Sequence, residues 1–251
     1  MLGLERRKKI LEKLKQDHRV YVSELSKLFD VTEETIRRDL DKLEEEDLVK
    51  RDYGGAVLNS YISEDLSFLK RSLINGDLKN IIAQKAHSLI DDDSTIMMDS
   101  STTCLTLLNL LRFKKNLTII TNSIRLAYDF SGAPFRIISV GGNLRGKSFA
   151  LTGAMTFNNL RNYFVDYTVL SCKGIDLERG VMESNDEESA VKQVMLSQAK
   201  KVILLVDSSK FGKISFTKTC DFDKISILVT DCEPSEDWKK FLIAQKVKLI
   251  Y

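Results

Sequence analysis

The chain has 251 residues, 43% of them apolar, with 38 Lys and Arg against 36 Asp and Glu for a net charge of +2. That length suits one large or two modest domains, and the apolar fraction excludes a disordered chain. The longest apolar runs, such as residues 202–206, are strand-sized, which excludes a membrane-spanning helix, and the near-balanced charge names no partner by itself.

The first expected helix spans residues 4–16, with Ile10, Leu11 and Leu14 on one face and Arg6, Lys9 and Lys13 around the other. Ser23 reads as the N-cap of a second helix that turns Leu25, Leu28 and Phe29 inward. After the short link Asp30-Val31, Thr32 caps a third helix. Its first turn holds Glu33 and Glu34, where the helix dipole favours acids. Ile36, Leu40 and Leu43 recur at i, i+4 and i+7 and form a buried stripe, so Arg37 and Arg38 point off it. Residues 48–51 and 56–58 flank Gly54-Gly55, a hairpin signal. Three helices and a two-stranded wing make a winged helix-turn-helix, the geometry of sequence-specific DNA binding.

Residues 1–57 hold 13 Lys and Arg against 14 Asp and Glu, a net of −1. Binding must therefore rest on where the charges lie rather than on their sum. The candidate DNA contacts are Ser23, Thr32, Thr35, Arg37, Arg38 and Lys42 on the helices. On the wing they are Lys50, Arg51, Tyr53 and Gly54. Arginine or lysine reads guanine edges, while threonine and lysine more often reach phosphates; either arginine could be the base reader.

Residues 59–76 read as a polar linker with a helix around 66–73, which divides the chain into a DNA-binding domain, 1–58, and a larger domain, 77–251. The larger domain opens with an amphipathic helix over 79–89 that offers Ile81, Ile82, Ala86 and Leu89 to a core. Strands are expected at 95–98, 117–121, 136–140, 167–170, 202–206, 225–230 and 247–250. Helices are expected at 103–111, 123–130, 152–162 and 187–200. Such alternation predicts an α/β domain with a mainly parallel sheet.

In open α/β sheets ligands bind beyond the carboxyl ends of the strands, and five polar clusters fall there. Asp99, Ser100, Ser101, Thr102 and Thr103 open a helix, where hydroxyls and free backbone N–H groups cradle a phosphate. Thr121, Asn122 and Ser123 follow the next strand, then Gly141-Gly142, then Lys173, Gly174 and Asp176, then Asp207-Ser208-Ser209-Lys210. Any one could be a helix cap or a tight turn. Five in succession, nearly all able to donate to an anion, point to a phosphorylated, hydroxyl-rich ligand.

The four cysteines are scattered, with no Cys-x-x-Cys pair and only His18 and His87 beside them. Neither a disulfide framework nor a metal site is expected, and no cofactor; reduced core cysteines in a cytoplasmic protein fit better. Basic residues near the N-terminus lack the apolar run of a secretory signal.

The run Thr35-Ile36-Arg37-Arg38-Asp39-Leu40, with Gly54-Gly55-Ala56 and the later clusters in order, resembles the DeoR family of bacterial transcription regulators over nearly the whole chain. The resemblance adds Glu187 and Lys192 to the effector-site candidates, beside Lys210. It implies a winged helix-turn-helix joined to an effector domain similar to ribose-5-phosphate isomerase and coenzyme A transferases. It further implies that a phosphorylated sugar or sugar-pathway intermediate controls operator binding, most often by releasing a repressor. Helix-turn-helix geometry suggests a homo-oligomer, a two-fold dimer or larger. The chain departs from the family pattern at Ser101 and Asp47, where glycine is usual, and at Tyr53, where histidine is usual.

The competing reading is a sugar-phosphate isomerase fused to a DNA-binding domain. It needs a carboxylate base, for which Asp176 and Glu187 are the candidates. Lys173 stands where an isomerase-like loop would carry another acid.

Overall fold

A computed structural model describes residues 3–17, 19–45, 49–58 and 65–251. The chain divides into two compact units, Met1–Glu64 and Asp65–Tyr251.

The first unit runs α1 (Gly3–Asp17), β1 (Arg19–Tyr21), α2 (Val22–Phe29), α3 (Glu33–Glu45), β2 (Val49–Asp52) and β3 (Gly55–Leu58). Its core is Ile10 and Leu14 of α1, Val22 and Leu25 of α2, and the expected stripe Ile36, Leu40 and Leu43 of α3. The wing has three strands rather than two, in the order β1-β3-β2. Residues 19–21 are too short to show a period, so sequence alone gives them no strand character. Gly55 is what admits β1, because a Cβ there would lie 1.9 Å from the carbonyl oxygen of Val20.

Three expectations in this unit need correcting. Ser23 is not an N-cap: α2 begins directly from the strand at Tyr21, with the Val22 N–H donating to the Gly54 carbonyl at 2.8 Å. Leu28 is 59% exposed, since Val22, Leu25 and Phe29 at i, i+3 and i+7 form the inward stripe and Leu28 lies beside it. Arg6 is buried rather than solvated, because its guanidinium is paired to Asp39 of α3. Arg7 reaches the same carboxylate at 3.4 Å.

The second unit begins with α4 (Phe68–Leu73) and α5 (Gly76–His87), so residues 65–76 of the stretch read as a linker are part of its packing. It continues with β4 (Thr95–Met98), α6 (Thr102–Leu111), β5 (Thr118–Thr121), α7 (Ile124–Asp129), β6 (Arg136–Ser139), β7 (Asn143–Arg145), β8 (Ala150–Thr152) and α8 (Ala154–Arg161). Then come β9 (Val165–Ser171), β10 (Gly174–Asp176), β11 (Gly180–Glu183), α9 (Asp186–Leu196), β12 (Ala199–Leu205), β13 (Thr217–Cys220), β14 (Ile227–Val229), α10 (Glu236–Ala244) and β15 (Lys248–Ile250).

Seven strands form one sheet in the order β15-β14-β12-β9-β4-β5-β6, every pair of it parallel. Strand residues alternate between its faces: Ile96, Met98, Ile203 and Leu205 join α5, α6 and α7 in one core. Met97 and Leu204 join α8, α9 and α10 in the other. The expected helix over 187–200 stops at Leu196, because Ala199 and Lys201 already pair with Val165 and Tyr167 of β9. The one expected from Thr152 starts at Ala154, Thr152 being taken by the β7–β8 hairpin. That hairpin, β10, β11, β13 and α10 had no clear sequence period. Among the described residues no helix is long and apolar enough to cross a membrane.

Candidate functional site

The chain leaves β4 towards β5 and β6 on one side, and leaves β9 towards β12, β14 and β15 on the other. Adjacent parallel strands whose connections run apart open a crevice at their carboxyl ends, the usual ligand position in such sheets. Here the crevice is a cavity of about 170 Å³.

Asp99, directly after β4, is fully buried and stands outside the cavity lining. One carboxylate oxygen accepts the Ser101 N–H at 3.0 Å, and the other accepts the Ser171 N–H of β9 at 3.1 Å. Lys192 of α9 places its ammonium 3.0 Å from Asp99, pairs with Glu183, and donates to the Ser171 carbonyl at 2.7 Å. Burial works to raise the Asp99 pKa, but the Lys192 charge and the hydrogen bonds outweigh it and hold the carboxyl below its ordinary range. Lys192 moves the other way: its anionic neighbours outweigh its desolvation, and it stays charged.

Ser101 is the N-cap of α6, its hydroxyl accepting the Cys104 N–H at 3.1 Å. The N–H groups of Thr102 and Thr103 follow in the first turn, where no intrahelical acceptor exists, and all three residues line the cavity. Lys173, Lys192 and Lys210 line it as well. Lys210 sits 3.3 Å from Asp207 and donates to the Ser171 hydroxyl at 3.0 Å. Free N–H groups at a helix N-terminus, ringed by ammonium groups, suit an anion.

Asp207 and Ser209 line the cavity too, and the remaining expected residues lie outside its lining. Ser100 is buried and donates towards Glu188. Thr121 bonds the Met98 carbonyl and the Ser123 N–H, Asn122 bonds the Leu151 carbonyl, and Ser123 caps α7. These last three tie β5 to its neighbours. Gly141 and Gly142 make a tight turn against α8; a Cβ on Gly142 would lie 2.0 Å from the Thr156 hydroxyl. Gly174 starts β10, and Asp176 at that strand's end accepts the N–H groups of Glu178 and Arg179. Glu187 accepts the Thr152 hydroxyl.

Several lining residues escaped the sequence reading. Asp65 and Glu188 share the guanidinium of Arg145. Asn75 bonds Asp207 and Ser209 at 3.2 and 3.1 Å. Lys79 is buried on α5. The signals were present: Asn75-Gly76 is a turn dipeptide, and Lys79 stands at i, i+3, i+4, i+7 with Ile82, Ala83 and Ala86, on the apolar stripe itself. Cys172 also lines the cavity, but burial pushes its thiol up to about 12, too high for a nucleophile at neutral pH.

In the first unit the hydroxyl of Thr32 accepts the Thr35 N–H at 3.3 Å. Arg37 and Arg38 are exposed and held one turn back by Glu33 at 2.8 Å and Glu34 at 3.3 Å. Lys42 and Lys50 are exposed, and Tyr53 stands 96% exposed at the wing tip beside Gly54. Ser23 is exposed in the first turn of α2. Arg51 differs from the rest: its guanidinium bonds Asp41 at 2.8 Å and the Arg37 carbonyl at 3.1 Å, fastening the wing to α3.

Comparison with known proteins agrees with this division. The DeoR-like helix-turn-helix domain profile matches residues 6–61, and the DeoR C-terminal sensor domain profile matches residues 74–232. The uncharacterised HTH-type transcriptional regulator YulB of Bacillus subtilis (strain 168) is 37% identical over 99% of this chain and 96% of its own length. The HTH-type transcriptional repressor GlcR of the same organism is 35% identical over 98% of this chain and 95% of its own. The glycerol-3-phosphate regulon repressor of Escherichia coli (strain K12) is 30% identical over 99% of each. Among solved structures, ribose 5-phosphate isomerase A of Methanocaldococcus jannaschii overlays 55% of this chain and 56% of its own, with a TM-score of 0.42 and 17% identity.

Proposed function

The chain belongs to the DeoR family of transcription regulators, and from that premise we propose that it represses carbohydrate transport or catabolism genes and releases its operator when a phosphorylated sugar fills the cavity between β4 and β9. The observation that carries this is the cavity itself, where the first turn of α6 and the ammonium groups of Lys173, Lys192 and Lys210 meet at the carboxyl ends of parallel strands. Thr35, Arg37, Arg38 and Lys42 of α3 would enter the major groove. Lys50, Tyr53 and Gly54 would meet the adjacent backbone, with Ser23 and Thr32 on flanking phosphates. Relatives named as the glycerol-3-phosphate regulon repressor and the repressor GlcR support the regulated class. The protein would act in the cytoplasm as a homodimer or larger assembly, since one short helix reads too few base pairs for specificity.

Control is then a coupling free energy: a ligand favouring one arrangement of the paired helices by about 1–3 kcal/mol changes operator affinity about 5- to 150-fold. The two acids named for the enzyme reading stand outside the cavity lining: Asp176 is bound to Arg179, and Glu187 is engaged with Thr152. The test is a gel-shift titration on promoter DNA flanking the gene, with phosphorylated sugars added in turn. One sugar phosphate should release wild-type protein, while Lys210→Ala and Thr102→Val should stay bound. Normal release of both variants would remove the cavity from the effector reading.

A further inference from the structure

One wall of the cavity is built from residues 65–79, the stretch that follows directly on the first unit. Lys79, 6% exposed, donates its ammonium to the carbonyl oxygens of Arg71 and Ile74, the latter at 2.6 Å, and so pins the end of α4. An ammonium has three donors, and among the described residues no carboxylate pairs with this one. Its nearest charged company is mixed: Lys210 and Arg71 repel it and Asp207 attracts it. With burial the largest influence, the balance lowers its pKa to about 8. Arg71 lines the same cavity with its Nε buried and without an acceptor. A buried guanidinium donor left unsatisfied is costly and calls for an explanation. Two cationic side chains with unspent donors thus stand in the wall of the cavity that Ser101, Thr102 and Thr103 of the α6 N-terminus also line.

We propose that Arg71 and Lys79 are anion-binding residues of this cavity, so that a phosphate held at the first turn of α6 is gripped as well by the segment leading from the DNA-binding unit. This rests on the effector reading above and adds to it which residues close on the anion and how its arrival is passed on. The phosphate supplies the negative charge that Lys79 lacks and accepts from the Arg71 guanidinium at the cavity wall. Once bridged, residues 66–79 and α6 are held by one ligand. The segment that leads to the DNA-binding unit then loses freedom when the ligand binds.

Hydrogen–deuterium exchange on the full chain tests this, with inorganic phosphate as probe against chloride at equal ionic strength. Phosphate should slow exchange both at the first turn of α6 and over residues 66–79. In Arg71→Gln the protection over 66–79 should fall while that at α6 remains, and Arg71→Lys should restore part of it. Lys79→Met should weaken phosphate binding about 10- to 100-fold, the equivalent of about one charge-assisted hydrogen bond. Protection confined to α6 in the wild type, or unchanged over 66–79 in Arg71→Gln, overturns the inference and leaves the effector cavity standing. Protection at neither place overturns both.

Discussion

The ammonium of Lys192 and the carboxylate of Asp99 lie 3.0 Å apart, both buried, at the point where β4 and β9 part. The pair joins four elements, β4, α9, β9 and β11, because Asp99 also takes the Ser171 N–H and Lys192 also takes Glu183. Lys192→Met would strand two buried carboxylates, at a cost of about 3–5 kcal/mol. For a domain of this size that is a fall of roughly 2–4 °C in Tm per kcal/mol. A melt indistinguishable from wild type would dismiss the buried pair as a stabilising element.

The same pair sets an acid limit. Asp99 has a folded pKa below its ordinary 3.8, so its contribution to stability is complete above that value and is lost as pH falls through the folded pKa. Asp99→Asn should therefore flatten the acid side of the stability profile, measured by urea midpoints taken downward from pH 5.

Lys79 has the opposite linkage. Its folded pKa of about 8 lies below the ordinary 10.5. Between those values the unfolded chain holds a proton that the native chain has released. Stability therefore gains with pH across that window and is indifferent to Lys79 below it. The difference in urea midpoint between wild type and Lys79→Met should change between pH 8 and 10. A constant difference would mean that Lys79 titrates as an ordinary surface lysine.

Arg37 and Arg38 should separate binding from folding. Their pairs with Glu33 and Glu34 are solvent-exposed, and exposed pairs contribute about 0–1 kcal/mol. Alanine at either should leave the melt nearly unchanged while abolishing specific operator binding in a gel shift. Operator affinity equal to wild type in both variants would reject α3 as the recognition helix.

At the wing, Gly55→Ala and Gly54→Ala should differ in kind. A Cβ at Gly54 meets open space and the strain is only that of φ +73°, about 1–2 kcal/mol. A Cβ at Gly55 meets the Val20 carbonyl and must part β1 from β3. Exchange at the amides of β1 should rise sharply in the second variant alone.

The sheet strands were legible because buried parallel strands are continuous apolar runs bounded by polar turns, as at Thr95–Met98 and Val202–Val206. Helix α3 was legible for a similar reason: Thr32 caps it and Ile36, Leu40 and Leu43 repeat at the helical period. Three-residue strands such as β1, β7 and β10 carry no period to read. Neither does a cap displaced by a strand, which is why Ser23 misled.

By itself the sequence determined what local periods and caps determine: the helix-turn-helix, the order of parallel strands and helices, and the polar character of the strand ends. It could not decide which strand ends meet. Strand order does, and placing β9 beside β4 gathered Ser101, Thr102, Lys173, Lys192 and Lys210 into one cavity while leaving Thr121, Gly142 and Asp176 outside its lining. Nor could it show that Arg6 would be buried against Asp39, or that residues 65–79 would wall the cavity. Those facts depend on contacts between residues far apart in the chain, whose burial and charge pairing exist only once the elements have packed.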